Sequence, residues 1–465
     1  MEFIEKVDWA AYRQEAAELL SKLIQIDTSN PPGNETTAAQ FLQEVFAKEG
    51  IPGEVIESAP GRGNFIARLQ GSGSGPKLLL LSHLDVVPVA HPKNWEHPPF
   101  AGALADGFIW GRGALDMKNQ VACEALTVFL FKRLKLDFQG ELIYLATADE
   151  ERGGEFGAGW LVKNKPELVQ ADYVINEGGG MPLRVNGKLF YTIENVEKGI
   201  LWLRLRVHGR AGHASVPHEE NALARAARLI ANLTEHRFPK RIGDSVRLFI
   251  SRIAAAYGPL GERIAEVVLD PQADPELKGL LKDTELDPHL VEAFLRTTVS
   301  PTMIQAGIKE NVIPDQCEVV LDCRLAPGFA KEAVLEKIRE FAAELGLREG
   351  ELEIEFIQDQ APSESPIGTD FYKAAERAIL AEHPEAEVVP YLLTGGTDSR
   401  FFRSLGAVAY GICPLSPRMD LRERAKLIHA DNERIDLESL ELSTRVFTRI
   451  AVEILRAKPS PASGG

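Results

Sequence analysis

Cysteine is scarce in this sequence of 465 residues, and the four present are widely scattered: Cys123, Cys317, Cys323 and Cys413. No two of them have the C-x-x-C spacing typical of a zinc site. Cys317 and Cys323 fall in one predicted strand, where six residues at ~3.3 Å each separate them by about 20 Å, beyond disulfide reach. A disulfide scaffold is therefore excluded, and we expect the cysteines to act as small buried hydrophobic residues.

Positive charge and long hydrophobic runs are also in short supply. The 52 basic residues are outnumbered by 68 acidic ones, for a net charge of −16, and no basic run could neutralise a phosphate backbone. No stretch reaches the roughly eighteen uncharged apolar residues of a membrane span. The first eight residues, MEFIEKVD, carry acids where a secretory signal needs a basic and then an apolar segment. We therefore expect a cytoplasmic protein that binds neither nucleic acid nor membrane.

The length exceeds what one hydrophobic core usually supports, so we expect two domains. Residues 1–198 alternate helical patterns with short apolar runs, which are typical of buried parallel strands. This alternation predicts an α/β fold, with a doubly wound, mostly parallel sheet and helices on both faces. The predicted strands are residues 77–81, 141–146 and 173–176.

The pattern changes over residues 199–360. The predicted elements there follow the order β-α-β-β-α-β, which is that of a ferredoxin-like α+β domain. A partly helical insertion at about residues 238–298 interrupts this order. The α/β alternation resumes over residues 361–465, so the ferredoxin-like domain is inserted into the larger α/β domain. The Pro- and Ser-rich tail, residues 458–465, is expected to be disordered.

Polar side chains follow the predicted parallel strands, where ligands bind in open α/β sheets. They are His83 and Asp85 after the first strand, Glu150 and Glu151 after the second, Glu177 after the third, and Asp116 in a glycine-rich turn. Each feature alone is weak evidence for a functional site, because polar residues at the start of loops and glycine-rich turns also have ordinary structural roles. Their occurrence at successive strand ends favours a common site.

Several carboxylates cannot converge while ionised unless a cation compensates them. Imidazole and carboxylate ligands without a thiolate suit zinc, with manganese or cobalt as substitutes. Such a ligand set also suits two ions that share one carboxylate, as in co-catalytic hydrolases. The residues therefore predict a centre of two divalent ions.

Five short motifs resemble, in order and spacing, those of a known metallohydrolase family. The family includes aminoacylases, acetylornithine deacetylase, succinyl-diaminopimelate desuccinylase, glutamate carboxypeptidase and carboxypeptidase S. The resemblance covers nearly the whole chain, and it implies a catalytic α/β domain with an inserted lid or dimerisation domain. The motifs are His83-Leu84-Asp85, Gly111–Lys118 (GRGALDMK), Asp149–Gly154 (DEERGG), Asn176-Glu177-Gly178 and Gly212–Ser215 (GHAS).

The resemblance implies a role for each residue at the sheet edge. One zinc ion would be bound by His83 and Glu177, a second by Glu151 and His429, and Asp116 would bridge the two. Asp85 resembles the carboxylate that orients His83. Glu150 resembles the general base of the hydrolysis. His429 comes from the resemblance alone, because its spacing does not identify it.

The resemblance also implies substrate contacts. His213 would stabilise the oxyanion, often from a partner subunit, which implies a homodimer through the lid domain. Arg324 and Asn311 resemble residues that bind the carboxylate of a small-molecule substrate, a task that suits the planar guanidinium. The remaining substrate-side positions are Gly395, Gly396 and Thr397.

Two features of this sequence depart from the common pattern of the family and help to place it in one branch. Position 177 is Glu where many relatives have Asp, and the insertion at 238–298 lengthens the second domain. The insertion, with the motif Phe108–Asp116 (FIWGRGALD), resembles the branch of carboxypeptidase S and N-acyl amino acid hydrolases. It also leaves open the usual dimer and the subunit origin of His213.

Our main hypothesis is hydrolysis of an amide or peptide bond next to a free carboxylate, in N-acyl amino acids or short peptides. The alternative is a deacylase of a biosynthetic intermediate of the acetylornithine or succinyl-diaminopimelate type. A metal-binding protein without activity is disfavoured, because Glu150 would have no use there. A dinucleotide-binding oxidoreductase is excluded, because no G-x-G-x-x-G follows the first strand.

Overall fold

A computed structural model describes residues 3–274 and 276–459. The chain divides into two compact units. Unit 1 comprises Met1–Asn195, Ser365–Tyr391 and Thr397–Gly465, and unit 2 comprises Val196–Glu364 and Leu392–Gly396. The lid domain was predicted at residues 199–360.

The strands, in chain order, are β1 (Gly53–Glu57), β2 (Gly63–Gln70), β3 (Ser72–His83), β4 (Ala103–Ala105), β5 (Phe108–Trp110), β6 (Leu136–Asp137), β7 (Gln139–Thr147), β8 (Tyr173–Asn176), β9 (Pro182–Val185), β10 (Lys188–Glu197), β11 (Gly199–His208), β12 (Gly212–His213), β13 (Thr298–Ala306), β14 (Val312–Ile313), β15 (Gln316–Leu325), β16 (Leu352–Gln360), β17 (Ser363–Glu364), β18 (Glu387–Leu393), β19 (Val408–Gly411), β20 (Arg434–Asp436) and β21 (Lys458–Pro459).

The α-helices, in chain order, are α1 (Trp9–Ile24), α2 (Glu35–Lys48), α3 (Lys118–Arg133), α4 (Ala158–Asn164), α5 (Pro166–Val169), α6 (Ala222–Glu235), α7 (Asp244–Ala255), α8 (Pro259–Leu269), α9 (Leu277–Leu280), α10 (Pro288–Leu295), α11 (Lys331–Glu344), α12 (Asp370–Glu382), α13 (Ser399–Ser404), α14 (Leu421–Leu427) and α15 (Leu437–Ile454). Short 3-10 turns lie at Ile4–Lys6, Pro92–Asn94 and Glu150–Arg152.

The main sheet of unit 1 has a parallel centre. Its strand order is β1-β2-β7-β3-β8-β19-β10, and the neighbours from β7 to β19 run parallel, while β1, β2 and β10 are antiparallel additions. The run Leu78–Leu81 in β3 is fully buried, as expected of a strand covered on both faces. The predicted doubly wound, mostly parallel α/β fold is therefore confirmed.

Helix α3 is buried along most of its length, from Lys118 to Phe131. It packs against α1, α15 and the strands β3 and β7, so both of its faces are covered. Because α3 starts directly after the turn that carries Asp116, this packing fixes the position of that turn.

Unit 2 contains a sheet with the strand order β13-β15-β11-β16, in which all neighbours are antiparallel. This order is that of the ferredoxin-like fold predicted for the inserted domain. Alternate residues of β11, such as Leu201 and Leu203, are buried in one apolar cluster with residues of α6 and α11. The insertion forms the helices α7 to α10.

The C-terminal tail differs from its prediction where it is described. Lys458–Pro459 pair with β6 in an antiparallel ladder, shortly after α15 ends at Ile454. Residues 460–465 lie outside the described residues. Among the helices that the structure describes, none has both the length and the apolar character to cross a membrane.

Candidate metal centre

Neighbouring strand ends position the predicted ligands of unit 1. His83 is the last residue of β3, Glu150 and Glu151 lie in the 3-10 turn after β7, and Glu177 directly follows β8. Because β7, β3 and β8 are adjacent parallel strands, these side chains emerge at one edge of the sheet. Asp116 reaches the same edge from the turn before α3.

The ligand atoms lie at the distances expected around metal ions. His83 Nε2 is 3.1 Å from Asp116 Oδ1 and 3.7 Å from Glu177 Oε1. His429 Nε2 is 3.1 Å from Asp116 Oδ2 and 3.4 Å from Glu151 Oε1. In a tetrahedral site with bonds of about 2.0–2.1 Å, ligand atoms are about 3.3 Å apart. The two oxygens of Asp116 therefore face two separate sets of ligands.

Two overlapping groups of side chains are close enough to hold an ion. His83, Asp116 and Glu151 form one group, and His83, Glu150 and Glu177 form the other, with ligand atoms within 4.8 Å of one another in each. The structure thus brings together the five predicted ligands of unit 1 and the predicted base.

The electrostatics of this cluster require a compensating charge. Burial and the nearby Glu177 raise the pKa of Glu150 well above its ordinary value. Burial and Asp116 raise the pKa of Glu177 to about 8. The buried Glu151 Oε1 has no well-aligned hydrogen bond among the described residues, and His429 Nε2 lies 3.4 Å from it. A pair of dications would relieve this repulsion and give that oxygen a partner, so the residues fit two divalent ions.

Asp85 holds His83 through its main chain. His83 Nδ1 lies 2.9 Å from the carbonyl oxygen of Asp85 and 3.4 Å from its carboxylate. When Nδ1 carries the proton and donates it to this carbonyl oxygen, Nε2 is the unprotonated nitrogen and can bind a metal ion. The Asp85 carboxylate instead accepts hydrogen bonds from the amides of Glu150 and Glu151, at 3.1 and 3.2 Å. Asp85 therefore orders both the imidazole and the turn with the predicted base.

A buried network behind this turn has no signature in the sequence. Asn30 Nδ2 donates to both Asp85 and Asp149, at 2.8 and 3.0 Å. Arg62 forms an ion pair of 2.7 Å with Asp149, whose φ of +70° lies in the left-handed region. The network stabilises the sharp turn that starts at Asp149. Neither spacing nor periodicity marks Asn30 or Arg62 as part of a site.

The predicted substrate residues of unit 2 lie on short strands and loops. His213 is exposed in β12, and its Nδ1 accepts a hydrogen bond from the Ser215 amide at 3.2 Å. The Arg324 guanidinium pairs with both oxygens of Asp322, at 2.7 and 3.0 Å. Asn311 is exposed, and its main-chain oxygen accepts a hydrogen bond from the Ala214 amide.

The substrate-side loop spans the boundary between the units. Gly395 and Gly396 belong to unit 2, whereas Thr397 belongs to unit 1. Thr397 is buried, and its hydroxyl accepts hydrogen bonds from Asn176 Nδ2 and the Ser399 amide, at 3.2 and 3.1 Å. These bonds fix Thr397 beside the end of β8. The substrate roles of this loop and of the residues of unit 2 stay predictions.

Known proteins resemble the chain in sequence and in fold. Succinyl-diaminopimelate desuccinylase of Methylorubrum extorquens is 35% identical over 223 residues, which are 46% of this chain and 56% of that enzyme. The N-fatty-acyl-amino acid synthase/hydrolase PM20D1 of Xenopus tropicalis is 29% identical over 94% of this chain and 85% of its own. The chain thus spans little more than half of the desuccinylase.

A solved structure, a dinuclear metal-binding peptidase of the M20 family from Bacillus subtilis, matches with a TM-score of 0.62 at 17% identity. The match covers 96% of this chain and 99% of that one. The two proteins therefore share a fold. The model of Peptidase family M20/M25/M40 matches residues 79–453, a region that includes every predicted metal ligand and Glu150, and the chain accordingly belongs to that family.

Proposed function

We propose that this protein is a zinc-dependent hydrolase that cleaves an amide or peptide bond next to a free carboxylate, in N-acyl amino acids or short peptides. The observation that carries the proposal is the position of Asp116, whose two carboxylate oxygens each lie 3.1 Å from a different histidine. A carboxylate so placed would serve as the ligand shared by two ions, as co-catalytic hydrolysis requires.

The residues divide into two ligand sets. His83 and Glu177 would hold one ion, Glu151 and His429 the other, and Asp116 would join them. When bound, the ions polarise the scissile carbonyl and make water acidic enough to attack it near neutral pH. Zinc suits the donor set of imidazoles and carboxylates, and cobalt or manganese could replace it.

Glu150 is the proposed base. Its amide is bonded to Asp85, and its carboxylate belongs to the same cluster as His83 and Glu177. Glu150 takes a proton from the attacking water as the new C–O bond forms. It then donates that proton to the amine nitrogen as the C–N bond breaks, so that one residue serves both steps.

The relatives support two substrate classes. The similarity to PM20D1 extends over 94% of this chain and favours N-acyl amino acids. The similarity to the desuccinylase covers 46% of it and supports the alternative, a deacylase of a biosynthetic intermediate. A hydrolysis screen of N-acyl amino acids, dipeptides and succinyl-diaminopimelate with Zn²⁺, Co²⁺ and Mn²⁺ separates the two classes. Hydrolysis of none of these compounds with any of the three ions would refute both.

The role of Glu150 has a direct test. The Glu150→Gln variant should keep two zinc ions by metal analysis while its hydrolysis rate falls by about 100-fold or more. Glu155→Gln is a matched control, because Glu155 is an exposed glutamate in the same loop. Turnover of Glu150→Gln near that of the control would remove Glu150 as the base.

We also propose that the protein forms a homodimer through unit 2. Strand β13 is at an edge of its sheet and exposes Met303 and Ile304, at 68% and 55%. An exposed apolar edge strand readily pairs with another chain. Light scattering should give twice the chain mass for the wild type and the chain mass for Met303→Lys. A wild-type monomer at micromolar concentration would contradict the dimer.

A further inference from the structure

A buried ion pair links the two chain segments that carry Asp116 and His429. Glu433 is fully buried, and its Oε2 lies 2.7 Å from Nη1 of Arg112, which is 2% exposed. Neither residue belongs to the proposed ligand sets. A buried ion pair often adds little to the stability of a protein. A buried pair that contacts proposed metal ligands therefore calls for a functional explanation.

The second oxygen of Glu433 holds the turn of the bridging carboxylate. Glu433 Oε1 accepts hydrogen bonds from the amides of Gly113, Leu115 and Asp116, at 3.1, 2.7 and 3.2 Å. Gly113 has a φ of +89°, so the turn adopts a conformation that side chains disfavour. Three amides converge on one oxygen, and the Glu433 carboxylate thereby fixes the main chain of Asp116.

The other arm of the guanidinium holds the histidine. Arg112 Nη2 donates to the main-chain oxygen of His429 at 3.3 Å. His429 has a φ of +58°, and it lies in the loop between α14 and β20 rather than at the end of a sheet strand. The planar fork of Arg112 therefore holds Glu433 through Nη1 and His429 through Nη2, an arrangement of two nitrogens that lysine lacks.

We propose that Arg112 and Glu433 are positioning residues that set the separation of Asp116 and His429, and thereby the affinity for the ion held by Glu151 and His429. The inference rests on the two-ion centre of the proposed function. The chain of contacts runs from the Asp116 amide through the Glu433 carboxylate and the Arg112 guanidinium to the His429 carbonyl. The other ion would share Asp116, but its remaining ligands, His83 and Glu177, lie at strand ends that the sheet itself positions, so its affinity should change less.

The Arg112→Lys variant tests whether Arg112 affects one ion more than the other. Lysine keeps the charge that pairs with Glu433, but it lacks the second nitrogen through which Arg112 bonds the His429 carbonyl. The assay is Zn²⁺ titration of the metal-free protein against a chromophoric chelator. One ion should bind as in the wild type, and the second should bind about 10- to 100-fold more weakly, which is the usual effect of losing a residue that holds a metal ligand. Unchanged affinity for both ions would overturn the proposal.

Glu433→Gln provides a second variant of nearly the same shape. Its amide oxygen can still accept from the turn, but the charge that holds Arg112 is lost, so the second ion should again bind more weakly. Arg449→Lys is the control, because Arg449 forms a buried ion pair with Glu382 that joins α15 to α12 and contacts no proposed ligand. This control should bind both ions as the wild type does.

The melting temperature of the metal-free proteins separates positioning from stability. If Arg112 and Glu433 served only the fold, the variants would melt lower without metal and still bind both ions normally. That result would overturn the inference and leave the metal centre intact. A wild type that binds fewer than two Zn²⁺ ions would instead refute the proposed centre itself.

Discussion

Glu124 allows a quantitative test of the helix beneath the candidate centre. It is fully buried in α3, where its carboxyl group contacts Ser82 Oγ at 2.9 Å and Gln120 Nε2 at 2.8 Å. Burial raises the pKa of Glu124 from 4.5 to about 8. The folded protein therefore keeps a proton that the unfolded chain releases above about pH 4.5.

Because the pKa of Glu124 is higher in the folded protein than in the unfolded chain, its contribution to stability falls as the pH rises. The contribution of Glu124 to stability is complete below the unfolded pKa and is lost as the pH rises towards 8. One pKa unit corresponds to about 1.4 kcal/mol, so the loss between about pH 5 and pH 8 is about 4 kcal/mol. Glu124→Gln keeps a neutral side chain of the same shape and has no such loss.

The assay is urea unfolding of both proteins at about pH 5 and pH 8 in the same chelator. The free energy of unfolding of the variant, relative to the wild type, should rise by about 4 kcal/mol between the two pH values. Glu44→Gln, an exposed position on α2, controls for the loss of one carboxylate. A difference between variant and wild type that does not change with pH would refute the reasoning.

Three other substitutions test the site. Asp116→Asn should lose both ions in metal analysis and reduce hydrolysis to background, and retention of two ions would exclude a bridging role. Arg324→Ala should raise KM for substrates with a free carboxylate but not for their amidated analogues; equal effects on both would exclude a carboxylate clamp. Gly157→Ala should lower the free energy of unfolding by about 3 kcal/mol in urea titrations, because the new Cβ would lie 1.7 Å from the Ala148 carbonyl oxygen. An unchanged urea midpoint would show that the main chain at Gly157 and Ala148 shifts to accommodate the methyl group.

The parallel centre of the sheet was predictable because its strands are buried on both faces. The runs around β3, β7 and β8 are apolar at most successive positions, and this pattern distinguishes them from strands with one exposed face. Once the strands are placed, the parallel arrangement brings their carboxyl ends to one edge, so His83, Glu151 and Glu177 could be grouped without a structure.

The antiparallel additions to the sheet were not predicted. Strand β10 is buried almost throughout and pairs with β9, β18 and β19, yet no regular alternation in its sequence indicates an antiparallel strand. The network of Asn30, Arg62 and Asp149 was also missed, because its members are up to 119 residues apart and each is an ordinary polar residue in its local sequence. Contacts of this kind depend on tertiary packing, which spacing does not encode.

His429 shows why one ligand could be carried over only by resemblance. The other ligands follow a sheet strand or precede α3, so regular structure sets their direction. His429 instead lies in a loop 313 residues after Asp116, with a left-handed backbone conformation. Its position is determined by what holds that loop, and the structure supplies Arg112 and Glu433 for this purpose. Hydrogen bonds from Arg112, Asn94 and the Glu96 amide hold this loop, whereas a strand end is fixed by the ladder of its sheet. The ion that the loop binds should therefore be the first to dissociate when free metal is lowered.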